Sequence, residues 1–266
     1  MARRGMRVRP PTFRLDHGHP LARGLVFAGL GAHPGSTHYH DSSAFGNHGV
    51  LTNMDPPTDW AWLPELGRHS TAHAGAGSGD IIQLRSPIVF PTSTAWAVSF
   101  WCDNTANYDF FGACGHLYTL GNYARIIGSA TGQMIIRNDA NGGADMAGVW
   151  VTGNHHYAVS RTAANNISAY RDGQLVGGPS ACPGVYTVFR LACYGVATAD
   201  ADAINGLLAD PMIYNRALSD AEIARLADPS NVDLDGMIQR VPSRRYVYAP
   251  STGNRRRRLL LCGAAA

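Results

Sequence analysis

Helical periodicity in this chain is almost confined to residues 219–227, so the rest of its apolar surface has to be buried by strands. Trp96, Val98, Phe100 and Cys102 alternate with Ala97, Ser99 and Trp101, the period-two pattern of a sandwich strand packed on one face. Residues 124–128 and 133–137 flank Ser129-Ala130-Thr131-Gly132, which predicts a hairpin. Residues 156–161 and 167–171 read as two further strands, and Asp172-Gly173 turns the chain into Gln174-Leu175-Val176. Segments 25–27, 47–51, 80–84 and 186–194 complete the series. Thirty glycines and 15 prolines among 266 residues supply the turns, and charged residues make up only 15%. The expected fold is one all-β sandwich domain.

Segment 206–226 closes that series. Leu207, Leu208, Met212, Ile213 and Tyr214 form a strand, and Pro211 inside it points to an edge position or a bulge. Ser219 and Glu222 stand at capping-box spacing, so each satisfies a backbone N–H that the helix start leaves open. Ile223 and Leu226 share one helical face, and Asp228-Pro229 stops the helix.

The wording of this segment resembles the C-terminal signature of laminin-G-like domains, a concanavalin A-like lectin/glucanase jelly-roll family. Four upstream segments are similar to the same family in the same order. Gly24-Leu25-Val26-Phe27 matches its opening strand, and residues 41–51 match its D-x-S-G-x-x-N-x-G turn, with Ala44 in place of glycine. Residues 96–101 resemble the strand that ends in tryptophan, and His156-Tyr157-Ala158-Val159 with Tyr170-Arg171-Asp172-Gly173 resembles its H-x-A-V and Y-x-D-G pair. The ordered set spans roughly residues 24–227. The resemblance implies an all-β, concanavalin A-like jelly-roll β-sandwich with one short C-terminal helix, here between extended arms.

Charge divides the chain into three. All 22 basic residues are arginines, five within residues 1–15 and seven within 240–258. All 19 acids lie in 16–239 with the other ten arginines, so that span carries −9. The expected organisation is a basic N-terminal arm at 1–20, the sandwich at 21–237, and a basic C-terminal arm at 238–266. Arg3, Arg4, Arg7 and Arg9 in the first arm, and Arg244, Arg245, Tyr246, Tyr248, Arg255 and Arg256 in the second, are candidates for docking on neighbouring protein subunits. The segments carry little aromatic interleaving, which argues against nucleic acid. The same ends also suit packing back on the acidic body. Cys102, Cys114, Cys182, Cys193 and Cys262 are odd in number and fit neither a zinc nor a disulfide spacing, so free thiols and a reducing place of synthesis are expected. Met1 to Asp16 shows no secretory signal, and no run has membrane-spanning length.

Catalysis finds little support in the residues. Glycoside hydrolysis needs two carboxyl groups about the scissile bond. The catalytic laminarinase-like relatives take theirs from an E-x-D-x-x-E run, whereas this chain has two glutamates, Glu65 and the capping Glu222. Asp103 with Asp109 is an alternative pair. The resemblance also implies a possible Ca²⁺ at a sheet rim, for which Asp55, Asp59, Asp200 and Asp202 are the candidates, against the plainer role of turn formers. His38 and His40 share a strand face and suit either a transition metal or solvent. Trp60, Trp62, Tyr39 and Tyr123 are candidate sugar platforms, the alternative being that the tryptophans fill the end of the sandwich.

These readings converge on a binding or structural protein, not an enzyme, with no cofactor beyond a possible Ca²⁺. The leading expectation is a phage virion component, capsid-decorating or tail-associated and oligomeric, made in the bacterial cytoplasm and docked through its arginine arms. The alternative is a carbohydrate-binding module of a bacterial surface or secreted protein.

Overall fold

The computed structural model of the chain describes residues 12–30, 36–55, 58–74, 80–104, 111–114, 125–128, 132–137, 143–194, 202–231 and 233–241. In chain order its strands are β1 (Thr12–Leu15), β2 (Leu25–Ala28), β3 (His38–Tyr39), β4 (Gly49–Thr52), β5 (Trp60–Leu63), β6 (Arg68–Ala74) and β7 (Ile81–Phe90). They continue with β8 (Trp96–Asn104), β9 (Phe111–Cys114), β10 (Arg125–Gly128), β11 (Met134–Arg137), β12 (Gly143–Met146), β13 (Gly153–Arg161) and β14 (Asn166–Arg171). The last are β15 (Gln174–Ala181), β16 (Tyr186–Leu191), β17 (Cys193–Tyr194), β18 (Asp202–Ala203), β19 (Asn205–Tyr214) and, after helix α1 (Asp220–Leu226), β20 (Ile238–Val241).

The larger sheet runs β15-β14-β13-β8-β19-β6-β5, with β2 pairing the C-terminal half of β19. A second sheet runs β16-β7-β4-β3 and a third β12-β11-β10-β9, which contains the expected hairpin. The main core lies between them. Trp96, Val98, Phe100 and Cys102 of β8 meet Phe27, Ile82, Leu84, Phe90, Tyr186 and Val188 there. The outer face of β8 is buried as well, which its alternation does not predict. Ala97 joins Tyr214, Leu218, Ile223 and Leu226 under α1, and Trp101 joins Leu63, Leu66 and Ala209. Ala97 and Ser99 are small enough to let the helix and the chain ends lie against that face.

β19 is an interior strand, so of the two readings of Pro211 the bulge holds and the edge fails. Its register with β8 shifts between Ala209 and Met212, and Asp210 takes φ +48°. The chain ends also depart from expectation. β1 pairs with β20, Thr12 facing Val241 and Leu15 facing Ile238, and both Leu15 and Ile238 are buried in the cluster under α1. Residues 12–15 and 238–241, read as parts of the arms, are therefore strands of the fold, and a body cut at 21–237 would lose buried surface.

The signature residues serve as joints. The Asp41 carboxylate accepts from the N–H groups of Ala28, Ser43 and Asn47 and from Ser43 Oγ, at 2.7–2.9 Å, tying β2 to the turn before β4. The Asn47 side chain pairs with both backbone groups of Ser86 at 2.8 Å, as another strand would. A Cβ at Gly49 would lie 2.6 Å from Ile82 Cγ2. Tyr170 Oη donates to Asp220 at 2.7 Å, and Gly173, at φ +79°, lets the backbone of α1 approach where a Cβ would meet Ala224 Cα at 2.9 Å.

The helix cap is present in full: Ser219 Oγ accepts from the Glu222 N–H, and Glu222 accepts from the Ser219 N–H. Arg216 also forks onto Glu222 at 2.7 and 3.0 Å. Partial burial, which raises the Glu222 pKa, is outweighed by these bonds, and it falls to about 2. Arg161 is buried with no carboxylate among its bonds. Its guanidinium donates to the carbonyls of Pro91, Thr94, Cys182 and Gly184 at 2.8–3.3 Å and lies 5.7 Å over the Trp96 ring.

Candidate functional site

The β5–β6 hairpin carries the most exposed indole of the described residues. A tight turn leads into it: the Asp59 N–H donates to the Asp55 carbonyl at 2.9 Å, and the Asp59 carboxylate accepts from the Asp55 N–H and from Thr58 Oγ1. The Asp59 carbonyl then accepts from Ala72 N–H at 2.9 Å, fixing the register in which Trp60 faces Thr71 and Trp62 faces His69. Alternation puts Trp60 and Trp62 on one face of β5, at the edge of the larger sheet.

Trp60 is half-buried and stacks on Tyr39 at 6.3 Å and 3°. Trp62 is 54% exposed, and the His69 ring meets it edge-on at 5.1 Å. Two buried nitrogens beside this platform, Trp60 Nε1 and His69 Nδ1, have no hydrogen-bond partner. Aromatic faces on a strand buttressed from below can stack on an apolar ring face, with polar groups at the margin.

Tyr39, expected as a platform, is a core residue. It is 1% exposed, stacks on Phe27 at 6.5 Å and donates its hydroxyl to the Gly29 carbonyl. Alternation turns it inward between exposed His38 and His40. Burial, reinforced by Asp210, raises its pKa. Tyr123 lies outside the described residues.

Of the four calcium candidates, Asp55 and Asp59 share one turn and bond to each other. Asp202 is in β18, where only its backbone is described, and Asp200 lies outside the described residues. Among the described residues no three His, Cys, Asp or Glu side chains converge as a metal would require. His38 and His40 are both exposed, on either side of buried Tyr39, but the His40 ring packs against His48 at 5.4 Å. His48 Nδ1 accepts from the Asp41 N–H at 3.0 Å, which places the ring proton on Nε2 and leaves no lone pair there for a metal. Of the alternative catalytic pair, Asp103 is on β8 and Asp109 falls outside the described residues. The arm residues Arg3, Arg4, Arg7, Arg9, Arg244, Arg245, Tyr246, Tyr248, Arg255 and Arg256 fall outside them too.

One constellation was not anticipated. Ser99 Oγ and His156 Nε2 are 2.8 Å apart, with Asp172 close by. It does not form a nucleophilic triad. Asp172 accepts from the His156 backbone N–H and reaches the ring of His155 at 2.7 Å, while His156 Nδ1 has no partner. Ser99 and His156 are fully buried, and burial, partly offset by Asp172, lowers the His156 pKa to about 3. His73, bonded to Thr71 Oγ1 at 2.9 Å, falls to about 4 through burial, partly offset by Asp80 and Asp59. The cross-strand pairing that joins Ser99 to His156 was the missing information.

The family model described as the concanavalin A-like lectin/glucanases superfamily matches residues 76–224. No curated protein matches the sequence. Among solved structures, domain 4 of AbnA, an extracellular arabinanase from Geobacillus stearothermophilus in complex with arabinotriose, is similar at a TM-score of 0.52 and 17% identity, over 76% of this chain and 98% of that one. A Trypanosoma rangeli sialidase in complex with 2,3-difluoro-KDN is similar at 0.51 and 14% identity, over 80% of this chain and 33% of the sialidase, so the chain spans about a third of its length. The binding domain of Paraclostridial Mosquitocidal Protein 1 is similar at 0.50 and 15% identity, over 77% of this chain and 52% of that one. At these identities the likeness is one of fold. Among the described residues no helix is long and apolar enough to cross a membrane.

Proposed function

The chain belongs to the concanavalin A-like lectin/glucanases superfamily, and from that premise we propose that it is a non-catalytic binding protein whose sandwich presents Trp62 to a glycan. The observation that carries the reading is the 54% exposed Trp62 indole on a strand edge, held by its pairing to His69. A sugar's C–H face stacks on such a ring. The arabinotriose-bound arabinanase domain shares the fold over 98% of its own length, which makes oligosaccharides the first ligands to try. A non-catalytic role fits the commitment of Glu222 to Arg216 and the helix cap. The full-length chain on a glycan array, beside Trp62→Ala, tests the reading: a signal lost in the variant supports it, and an empty array or an unaffected signal refutes it.

A second reading concerns where the binding domain sits. Thr12–Leu15 and Ile238–Val241 pair with each other in the fold, and Cys102 and Cys182 are free buried thiols. Both suit a phage virion component, capsid-decorating or tail-associated, assembled in a reducing cytoplasm and held on neighbouring subunits by its arginines. Its test is co-sedimentation with particles of full-length protein and of a variant with Arg3, Arg4, Arg7 and Arg9 changed to Gln. Equal recovery of both would refute it.

A further inference from the structure

Trp62 brings more than its indole to the edge of the larger sheet. The Ala72 N–H donates to the Asp59 carbonyl at 2.9 Å, so Asp59 and Ala72 form a hydrogen-bonded pair at the start of the β5–β6 ladder. Bonded and non-bonded pairs alternate along an antiparallel ladder. Trp60 faces Thr71 and Trp62 faces His69, so the next bonded pairs are Ala61 with Ser70 and Leu63 with Arg68. The N–H and C=O groups of Trp60 and Trp62 therefore point away from β6, to the side on which no described strand pairs with β5. Among the described residues, none is hydrogen-bonded to these four groups. The indole of Trp62 opens the same way. His69, on β6, meets it from one side at 5.1 Å, and the residue is still 54% exposed, so the free side of the ring looks out over the open edge.

The N–H and C=O of one edge residue make an uncharged donor–acceptor pair. The chain itself shows what satisfies such a pair: the Asn47 carboxamide bonds both backbone groups of Ser86 at 2.8 Å. A vicinal diol on a sugar ring has the same capacity, since one hydroxyl oxygen accepts from the N–H while its neighbour donates to the C=O. A ring bonded there lies about 4.8 Å from β5, where the next strand would run, and its C–H face meets the indole standing over that edge. We infer that the open-edge N–H and C=O of Trp62 clamp a vicinal diol of a neutral sugar whose C–H face stacks on the indole of the same residue. The inference rests on the reading of Trp62 as a glycan platform and adds the polar contact that orients the sugar on it. A peptide strand would use the same groups, but β5 has four residues and Pro64 follows it, and so short an edge favours a ligand that spans one residue.

Amide hydrogen exchange and carbonyl shifts of the full-length chain, labelled with ¹³C and ¹⁵N at alanine and tryptophan, test the clamp. Arabinotriose, cellotriose and maltotriose are the probes, and Trp62→Phe assigns the Trp62 signals. Without a probe the Ala61 amide should be protected and the Trp62 amide should exchange freely. With a probe bound to nine-tenths of the protein, exchange at Trp62 should slow about tenfold, because it then proceeds from the free tenth. The Trp62 carbonyl should move downfield at the same time, as it accepts a hydroxyl. A probe that shifts the Trp62 indole signal but leaves its amide and carbonyl unchanged overturns the clamp and keeps the platform. No response of indole, amide or carbonyl to any probe removes both. Protection of the Trp62 amide before any probe is added also overturns the clamp, and protection that grows with protein concentration assigns the edge to a second copy of the chain.

Discussion

Acidification perturbs this fold through two buried histidines. Burial draws the pKa of His73 from 6.5 to about 4 and that of His156 from 6.5 to about 3. On unfolding both rings return to water and regain their ordinary affinity for protons. As pH falls below 6.5 the unfolded chain therefore takes up protons that the native state refuses, and stability falls with it. The contribution is complete above pH 6.5 and exhausted once pH drops below the native values. At about 1.4 kcal/mol per unit, the full loss comes to about 3 kcal/mol for His73 and about 5 kcal/mol for His156. Together that rivals the ~5–15 kcal/mol that holds a typical domain folded. Near pH 5 the slope approaches two protons, about 2.7 kcal/mol per pH unit. Glu222, with its folded pKa at about 2, adds a further loss as pH falls from about 4.5 towards 2. Urea unfolding followed by tryptophan fluorescence at half-unit steps from pH 7.5 to 4.5 reads the slope. In His156→Gln, whose amide still reaches Ser99 and cannot titrate, the slope should halve. Stability that is flat from pH 7 to 5, or a slope unchanged by the substitution, would refute the reasoning.

Asp41→Asn replaces an acceptor of four hydrogen bonds by a group with one acceptor oxygen, so at least one N–H of Ala28, Ser43 or Asn47 faces an amide NH₂. The expected loss is about 2–4 kcal/mol by urea denaturation, and a loss below about 1 kcal/mol would contradict the role given to that turn. Arg161→Met fills a similar volume but strips partners from the carbonyls of Pro91, Thr94, Cys182 and Gly184, so a loss of about 3 kcal/mol or more is expected in the same assay. Arg161→Lys should recover little of it, because one ammonium cannot span the four carbonyls that the planar guanidinium reaches from three nitrogens.

The order of strands was legible because each joint needs a particular residue. Asp41, Asn47 and Gly49 make one corner, Asp172 and Gly173 another, and Ser219 with Glu222 the start of the helix. Their residue types mark the corners without knowledge of what lies across the sheet, although Asn47 meets Ser86 and Gly49 meets Ile82 there. What failed does depend on it. Tyr39 has the same ring whether it faces a sugar or Phe27, and only the pairing of β3 decides. Pro211 allowed two positions, and the pairing of β19 on both sides chose the bulge. Ala97 and Ser99 read as an outer face because nothing local says that α1 and the chain ends cover them. Thr12–Leu15 shows no alternation, and its strand is specified by Ile238–Val241, more than two hundred residues away. The platform was half legible: Trp60 and Trp62 were visible as a pair, but the division of labour, one stacked on the core and one exposed, came from the hairpin's place at the sheet edge.

The central claim is that the exposed face of Trp62 binds a ligand and does not merely cover the fold. Isothermal titration of the full-length chain with the glycan selected on the array, beside Trp62→Ala, tests it most directly. At least about a tenfold loss of affinity is expected, the worth of one stacked ring, with a melting temperature within about 2 °C of wild type because the indole is largely outside the core. Unchanged affinity in the variant, or lost affinity that follows a collapse in melting temperature, would contradict it.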